Sequence, residues 1–431
     1  MLDKPDRRPG PAPLAGLARL LPSGVNPGAL PLLAARGLRA FGDGYMAVLL
    51  PAYLLSIGLG TLEVGIVSTA TMLGSALATL AVGAWGYRFP GGRLLRGAAL
   101  LMAATGLGFA GLSSFWPLLV VALVGTLNPS SGDVSVFLPL EHARLAAAAK
   151  GHARTTLFAR YSLLGALCAA FGALAAAVPD WLVRHGDFAR LDALRGMFAV
   201  YAAIGLVVFR LYRNLPAHAV TGNADSVPMA PAPLGPSRRV VVRLAALFSV
   251  DAFAGGLTVN ALMSLWLLER FGLSLAQAGV FFFWTGLLGA ASQLAAPLVA
   301  RRIGLLNTMV FTHLPANVCL VLAALAPSLP LALGLLMIRS ALSSMDVPTR
   351  TAYVMAVVTP AERSAAASFT AVPRSLAAAI SPTLSGALFA AGWISLPLVA
   401  SGLLKICYDL ALWRAMRRDR LEEEEERTVD P

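Results

Sequence analysis

Between Arg96 and Asp133 the chain carries no charged side chain. One membrane-spanning helix needs about 20 apolar residues, so this run is nearly long enough for two crossings. In hydrocarbon every backbone N–H and C=O must be satisfied internally, which leaves helices as the fold for such segments. The pattern recurs along all 431 residues, of which 57% are hydrophobic and 13% charged. Soluble domains carry about 25% charged residues, so a soluble enzyme or regulator is excluded. The net charge of +12 does not point to nucleic acid, because the basic residues lie mostly between apolar runs, where a membrane surface would meet them.

Read with the 20-residue rule, apolar runs fall near 31–57, 62–86, 95–113, 115–140, 153–178 and 196–213, then near 241–268, 274–299, 304–326, 329–358, 362–390 and 393–413. The expected fold is therefore an all-α integral membrane protein of about twelve transmembrane helices. Lys and Arg placement tests that count, since loops on the cytoplasmic side retain positive charge. With the N-terminus inside, 25 of the 34 basic residues fall on the inner side and only Arg184, Arg190, Arg195 and Arg270 outside. A wrong helix count would scramble this bias, so both termini are expected to be cytoplasmic. Residues 1–30 read as a basic, Pro-rich cytoplasmic tail rather than a cleaved signal, because their apolar patch is interrupted by Arg19 and stopped by Pro22. A Pro-, Ala- and Gly-rich stretch at 214–239 reads as a cytoplasmic linker between bundles at 31–213 and 240–414, and 415–431 as an acidic tail.

The two bundles repeat one another. Asp133 and Asp346 are 213 positions apart, and Arg160 and Arg374 are 214 apart. Gly58-Leu-Gly-Thr-Leu-Glu-Val-Gly65 matches Gly272-Leu-Ser-Leu-Ala-Gln-Ala-Gly279 at a displacement of 214, as Arg88 matches Arg302 and Gly172 matches Gly386. Parallel six-helix repeats joined by a cytoplasmic linker resemble the major facilitator superfamily, whose fold is two pseudo-symmetric six-helix bundles. The resemblance covers roughly Arg36 to Arg418. It extends to the signature loop after the second helix, here Gly83-Ala-Trp-Gly-Tyr87-Arg88-Phe-Pro-Gly-Gly-Arg93. Gly83, Arg88 and Arg93 stand where the family pattern places them, but Tyr87 replaces the customary Asp. The resemblance implies secondary transport of a small molecule by alternating access, with no cofactor and no resident metal.

Charged residues inside apolar spans are costly and by default functional. Asp133 with Arg160, and Asp346 with Arg374, sit at matched depths on neighbouring spans and are expected to form intramembrane ion pairs that lock or gate each bundle. Arg350 is one turn from Asp346 on the same face, and Arg339 is two turns back. Asp43 has Arg39 four residues away, whereas Asp251 has no cation within one turn. Asp43 and Asp251 are the candidate proton carriers, since an unpaired buried carboxylate holds its proton readily. Asn128 and Asn260 are further candidates for the substrate pathway, as are Tyr53, Gln293 and Asn317. Trp266 and Trp284 can stack on a flat substrate or anchor at the interface.

Three functions compete. Proton-coupled efflux of an organic or toxic compound is the leading expectation, because the spans are mostly apolar. Uptake of an organic anion through the intramembrane Arg residues is the alternative, and a non-transporting receptor or scaffold is the third. No His, Asp or Cys spacing suggests a metal centre or an enzyme. Cys168, Cys319 and Cys407 read as small packing residues. The expected partners are membrane lipid, a small-molecule substrate, and a proton or other coupling ion, with the chain acting as a monomer.

Overall fold

The computed structural model describes residues 21, 25–130, 135–149, 151–215, 234–359 and 362–429. Among these residues the regular structure is helical throughout. In chain order the α-helices are α1 Leu30–Ser56, α2 Thr61–Trp85, α3 Gly91–Gly111, α4 Phe115–Val124, α5 Phe137–Ala148, α6 Gly151–Leu174, α7 Val178–His185 and α8 Arg190–Arg213. They continue with α9 Arg238–Gly256, α10 Asn260–Phe271, α11 Leu275–Ile303, α12 Leu305–Ala324, α13 Leu329–Ser343, α14 Asp346–Ala356, α15 Arg363–Ala390 and α16 Leu396–Val429.

Among the described residues nine segments are long and apolar enough to cross a membrane. The long helices α1 and α15, which carry internal charges, and the α4–α5 pair pack into the same bundle. Large apolar side chains point outward along these helices: Trp116 is 73% exposed, Leu298 65% and Leu325 62%. Such a surface is untenable in water and suits acyl chains.

Three of the expected spans are not continuous helices. The run 115–140 breaks after α4, where Pro129 lacks an N–H and the Asn128 side chain accepts from the Ser130 amide (3.1 Å) and hydroxyl (2.7 Å). A side chain that bonds its own backbone competes with helix propagation. The run 241–268 breaks at Leu257–Val259, just after Gly255-Gly256. The run 329–358 breaks at Ser344-Met345, and Pro348 falls in the first turn of α14, where a missing N–H costs nothing. Broken backbone at membrane depth needs partners inside the protein. Two of the breaks supply each other: the Ala261 amide, at the start of α10, donates to the Pro129 carbonyl at 3.1 Å.

Within each half of the chain, small residues allow helices to touch backbone to backbone. Gly44 of α1 faces the Ala169 carbonyl of α6, and Gly106 of α3 faces Ala202 of α8. The two halves meet through α2 against α15, α6 against α11 and α1 against α10. There a Cβ on Gly65 would lie 2.6 Å from the Pro382 carbonyl, and one on Gly386 2.7 Å from the Thr61 carbonyl. The Thr383 hydroxyl and Thr69 hydroxyl lie 2.8 Å apart across the same seam. These contacts lie toward the end remote from the linker. Toward the linker end α2 turns exposed, with Leu77 at 49% and Trp85 at 56%. The halves are thus in backbone contact at the end remote from the linker.

Candidate functional site

A cavity of about 260 Å³ lies between the two halves. Its walls are small and polar: Gly44 of α1 and Ala166 to Ala173 of α6 on one side, Thr285, Gly289 and Gln293 of α11 and Ser340, Ser343 and Ser344 near the α13 break on the other. Asn260, the first residue of α10, reaches it because the helix break turns that end inward. The single charged wall residue is Arg339 of α13. Its Nε is buried without a hydrogen-bond partner, and among the described residues no carboxylate forms an ion pair with it. The Nε of Arg39 and of Arg350, both ion-paired, is equally partnerless, so what sets Arg339 apart is its place on a polar cavity, where a guanidinium can receive an anion.

Behind this wall a second group of side chains fills the core of the C-terminal half. Asp251 of α9 accepts from Lys405 Nζ of α16 at 2.5 Å and from Arg350 Nη2 of α14 at 3.0 Å. Arg350 also binds Asp346, one turn back. One turn along α16 from Lys405, Asp409 meets His313 Nδ1 at 2.9 Å and Asn317 Nδ2 at 3.0 Å, both on α12. All these carboxylates are at most 3% exposed. Charges this deep persist only when paired.

The N-terminal half has its own buried pair. Arg39 of α1 binds Glu141 of α5, which is fully buried and also accepts from Tyr161 and, at 2.5 Å, from Tyr212. The Arg39 guanidinium lies 3.9 Å from the centre of the Phe137 ring. A second inter-half cavity of about 460 Å³ is mostly apolar and lies among α2, α9 and α15, with Ser130, Ser135 and Arg374 on its rim.

Several expectations are corrected by this geometry. Asp251 is not unpaired: Lys405 and Arg350, from two other helices, both hold it. Asp346 takes Arg350 as its partner, and Arg374 lies instead on the larger cavity. Arg39 goes to Glu141 rather than to Asp43, which accepts from the Tyr201 hydroxyl at 3.3 Å. The expected Asp133–Arg160 pair is not among these corrections: Arg160 lies on α6, and Asp133 lies outside the described residues. Asn128 shapes the α4 break instead of lining the 260 Å³ cavity. Gln293 and Asn260 do line it, Asn317 belongs to the His313–Asp409 group, and Tyr53 donates to the Phe109 and Leu112 carbonyls. Trp266 is buried and Trp284 half exposed. In the loop after α2, Gly83 has open space around it, Arg88 ends a short 3₁₀ turn, and Arg93 borders a small cavity under α3.

Glu141, Lys405, His313 and Asp409 were not singled out from the sequence. Two spacings carried the signal: Lys405 with Asp409, and His313 with Asn317, are each four apart, and therefore on one helical face, inside apolar runs.

Comparison with known proteins agrees with this architecture. The chain is 25% identical over 410 residues to Uncharacterized membrane protein YJR124C of Saccharomyces cerevisiae (strain ATCC 204508 / S288c), covering 87% of this chain and 91% of that one. Its fold is similar to that of a bacterial homolog of the human lysosomal transporter Spinster in an inward-facing, occupied conformation. That match has a TM-score of 0.71 at 15% identity, with 90% of this chain and 96% of that chain covered. It is also similar to a D-xylose-proton symporter, with a TM-score of 0.70 at 17% identity over 89% of this chain and 97% of that chain. The sequence model of the Major Facilitator Superfamily matches residues 32–345, and the chain belongs to that superfamily of membrane transporters.

Proposed function

We propose that this transporter carries a small organic anion by alternating access, with Arg339 as the group that binds the anion and proton movement as the driving force. The observation that carries the reading is Arg339 itself, a cation with a partnerless Nε in a small, polar cavity between the halves. Gln293, Asn260 and the serines at the α13 break offer the remaining hydrogen bonds. The halves at 31–213 and 240–414 act as two six-helix bundles that rock about the cavity, making twelve crossings. The end that bears the linker faces the cytoplasm by the charge bias of the loops. Asp43, half-buried beside Tyr201, and the group around Asp251 supply the titratable residues for coupling.

The apolar spans suggest efflux of a lipophilic compound, and the 460 Å³ cavity with mostly apolar walls favours that as the second reading. Thermal unfolding in detergent separates the two. A ligand at 100 times its Kd stabilises the folded state by about 2.7 kcal/mol, and the anion reading expects such stabilisation from a carboxylate or phosphate ester. It expects the effect to vanish in Arg339→Gln and to persist in part in Arg339→Lys. Stabilisation by neutral lipophilic compounds alone, indifferent to Arg339, would replace it with the efflux reading.

A further inference from the structure

Three carboxylates in the C-terminal half, Asp251, Asp346 and Asp409, face three cations, Arg339, Arg350 and Lys405. The set is balanced only while Arg339 is bare. An anion on Arg339 takes one positive charge out of that balance, and a low-dielectric interior penalises the residual negative charge heavily. His313 also touches the set, its Nδ1 facing Asp409 Oδ1 at 2.9 Å.

We infer that the His313–Asp409 pair is the site where the coupled proton binds, and that it fills in step with anion binding at Arg339. This rests on the anion reading of the cavity above. With Nδ1–H donating to Asp409, Nε2 is the nitrogen left to take a proton. The imidazolium then forms an ion pair with Asp409 and restores the missing positive charge. Asn317 Nδ2, 3.0 Å from Asp409 Oδ2, holds the carboxylate in place for both states. Asp251 is the shared neighbour that links the two events, because it lies within electrostatic reach of His313 and of Arg339 alike. No bond other than the N–H forms or breaks. The proton enters from water at one face, rides on Nε2, and leaves at the other face with the anion.

The groups around His313 are few. From α16 come Asp409, Tyr408 and Lys405; from α9, Asp251; from α13, Arg339; and from α14, Asp346, Arg350 and Tyr353. The charged residues of α11, Arg301 and Arg302, are exposed at its far end. Cys319 is the other titratable residue of α12.

The linkage can be tested without knowing the substrate, since Arg339→Gln mimics the neutralised arginine. The measurement is the pH titration of the histidine NMR signals of the full-length protein in nanodiscs, with the His313 resonance assigned by its loss in His313→Gln. A unit charge about 10 Å away at an effective dielectric of about 20 moves a titration midpoint by about one pH unit. In Arg339→Gln the His313 midpoint should therefore rise by about that much, while Arg339→Lys leaves it in place. A second variant, Lys405→Gln, should raise it as well. A midpoint unmoved in both Gln variants, or moved equally by Arg339→Lys, overturns the linkage. That failure is distinct from failure of the anion reading, which is judged only by ligand stabilisation and flux.

Discussion

At the scale of single residues, the C-terminal charges are a network in which each member is costly to remove. Taking one partner from a buried ion pair strands the other and costs about 3–5 kcal/mol. Lys405→Met should lower the stability of the folded protein by about that amount, read as a fall in the unfolding midpoint in detergent. The double variant Lys405→Met/Asp251→Asn should recover much of the loss, and no recovery would show that the two are not partners. Outside the membrane, Glu362 accepts from the Ser237 hydroxyl and the Gly235 amide and so fastens the start of α9 to the α14–α15 loop. These hydrogen bonds, Ser237 first, hold its carboxyl below the ordinary glutamate value. A lowered value means that the fastening is complete above the normal carboxylate range and is lost as pH falls through the folded value. Glu362→Gln should therefore speed hydrogen exchange at the Gly235 amide at neutral pH, and wild type should show the same change only in acid. Sequence alone found Asp251, Asp346 and Arg350, because charges inside apolar runs stand out. It left Asp251 unpaired and gave Asp346 the wrong partner because contacts with other helices depend on which helices are neighbours and at what rotation. Lys405 also stood inside an apolar run, but nothing in its local spacing pointed to a partner on α9.

At the scale of elements, the repeat was legible where local backbone chemistry enforces it. Gly58 and Gly272 both take positive φ (87° and 64°) at equivalent turns, a conformation that favours glycine. Five residues on, Glu63 and Gln277 each reach back to the amide three positions before, at 3.0 Å from Gly60 N and Ser274 N. The matching glycines that follow carry the two seams between the halves. Gly65 of α2 packs on α15, and Gly279 of α11 packs on α6 at the Ala173 carbonyl. Exchanging the halves exchanges the seams. A leucine at Gly65 should wedge the closed end apart, so that Ala47→Cys, in the cavity wall, becomes reactive to a membrane-impermeant maleimide added at that end in a background lacking Cys168, Cys319 and Cys407. Unchanged reactivity with intact folding would mean that the Gly65 seam is not a gate. The breaks at Pro129 and Leu257–Val259 were not legible as breaks. Proline alone indicates a kink, and the full interruption depends on the amide of Ala261 finding the Pro129 carbonyl across the interface.

At the scale of the whole molecule, a transporter must expose one cavity to each side in turn without opening both. This structure has the parts: seams of small residues between the halves, and beside them a polar cavity that carries Arg339. Composition and the apolar runs were sufficient to read the membrane class, and the half-repeat with its linker carried the resemblance to the superfamily. The cargo was not legible, because the cavity is assembled from residues as far apart in sequence as Gly44 and Ser344. In the proposed cycle this cavity moves an anion on Arg339. The most direct measurement is flux of radiolabelled small carboxylates and phosphate esters in proteoliposomes under an imposed pH gradient, comparing wild type with Arg339→Gln and Arg339→Lys. Gradient-driven flux of at least one anion is expected, abolished in Arg339→Gln and partly kept in Arg339→Lys. Flux that is equal in wild type and Arg339→Gln, or confined to neutral compounds, would contradict it.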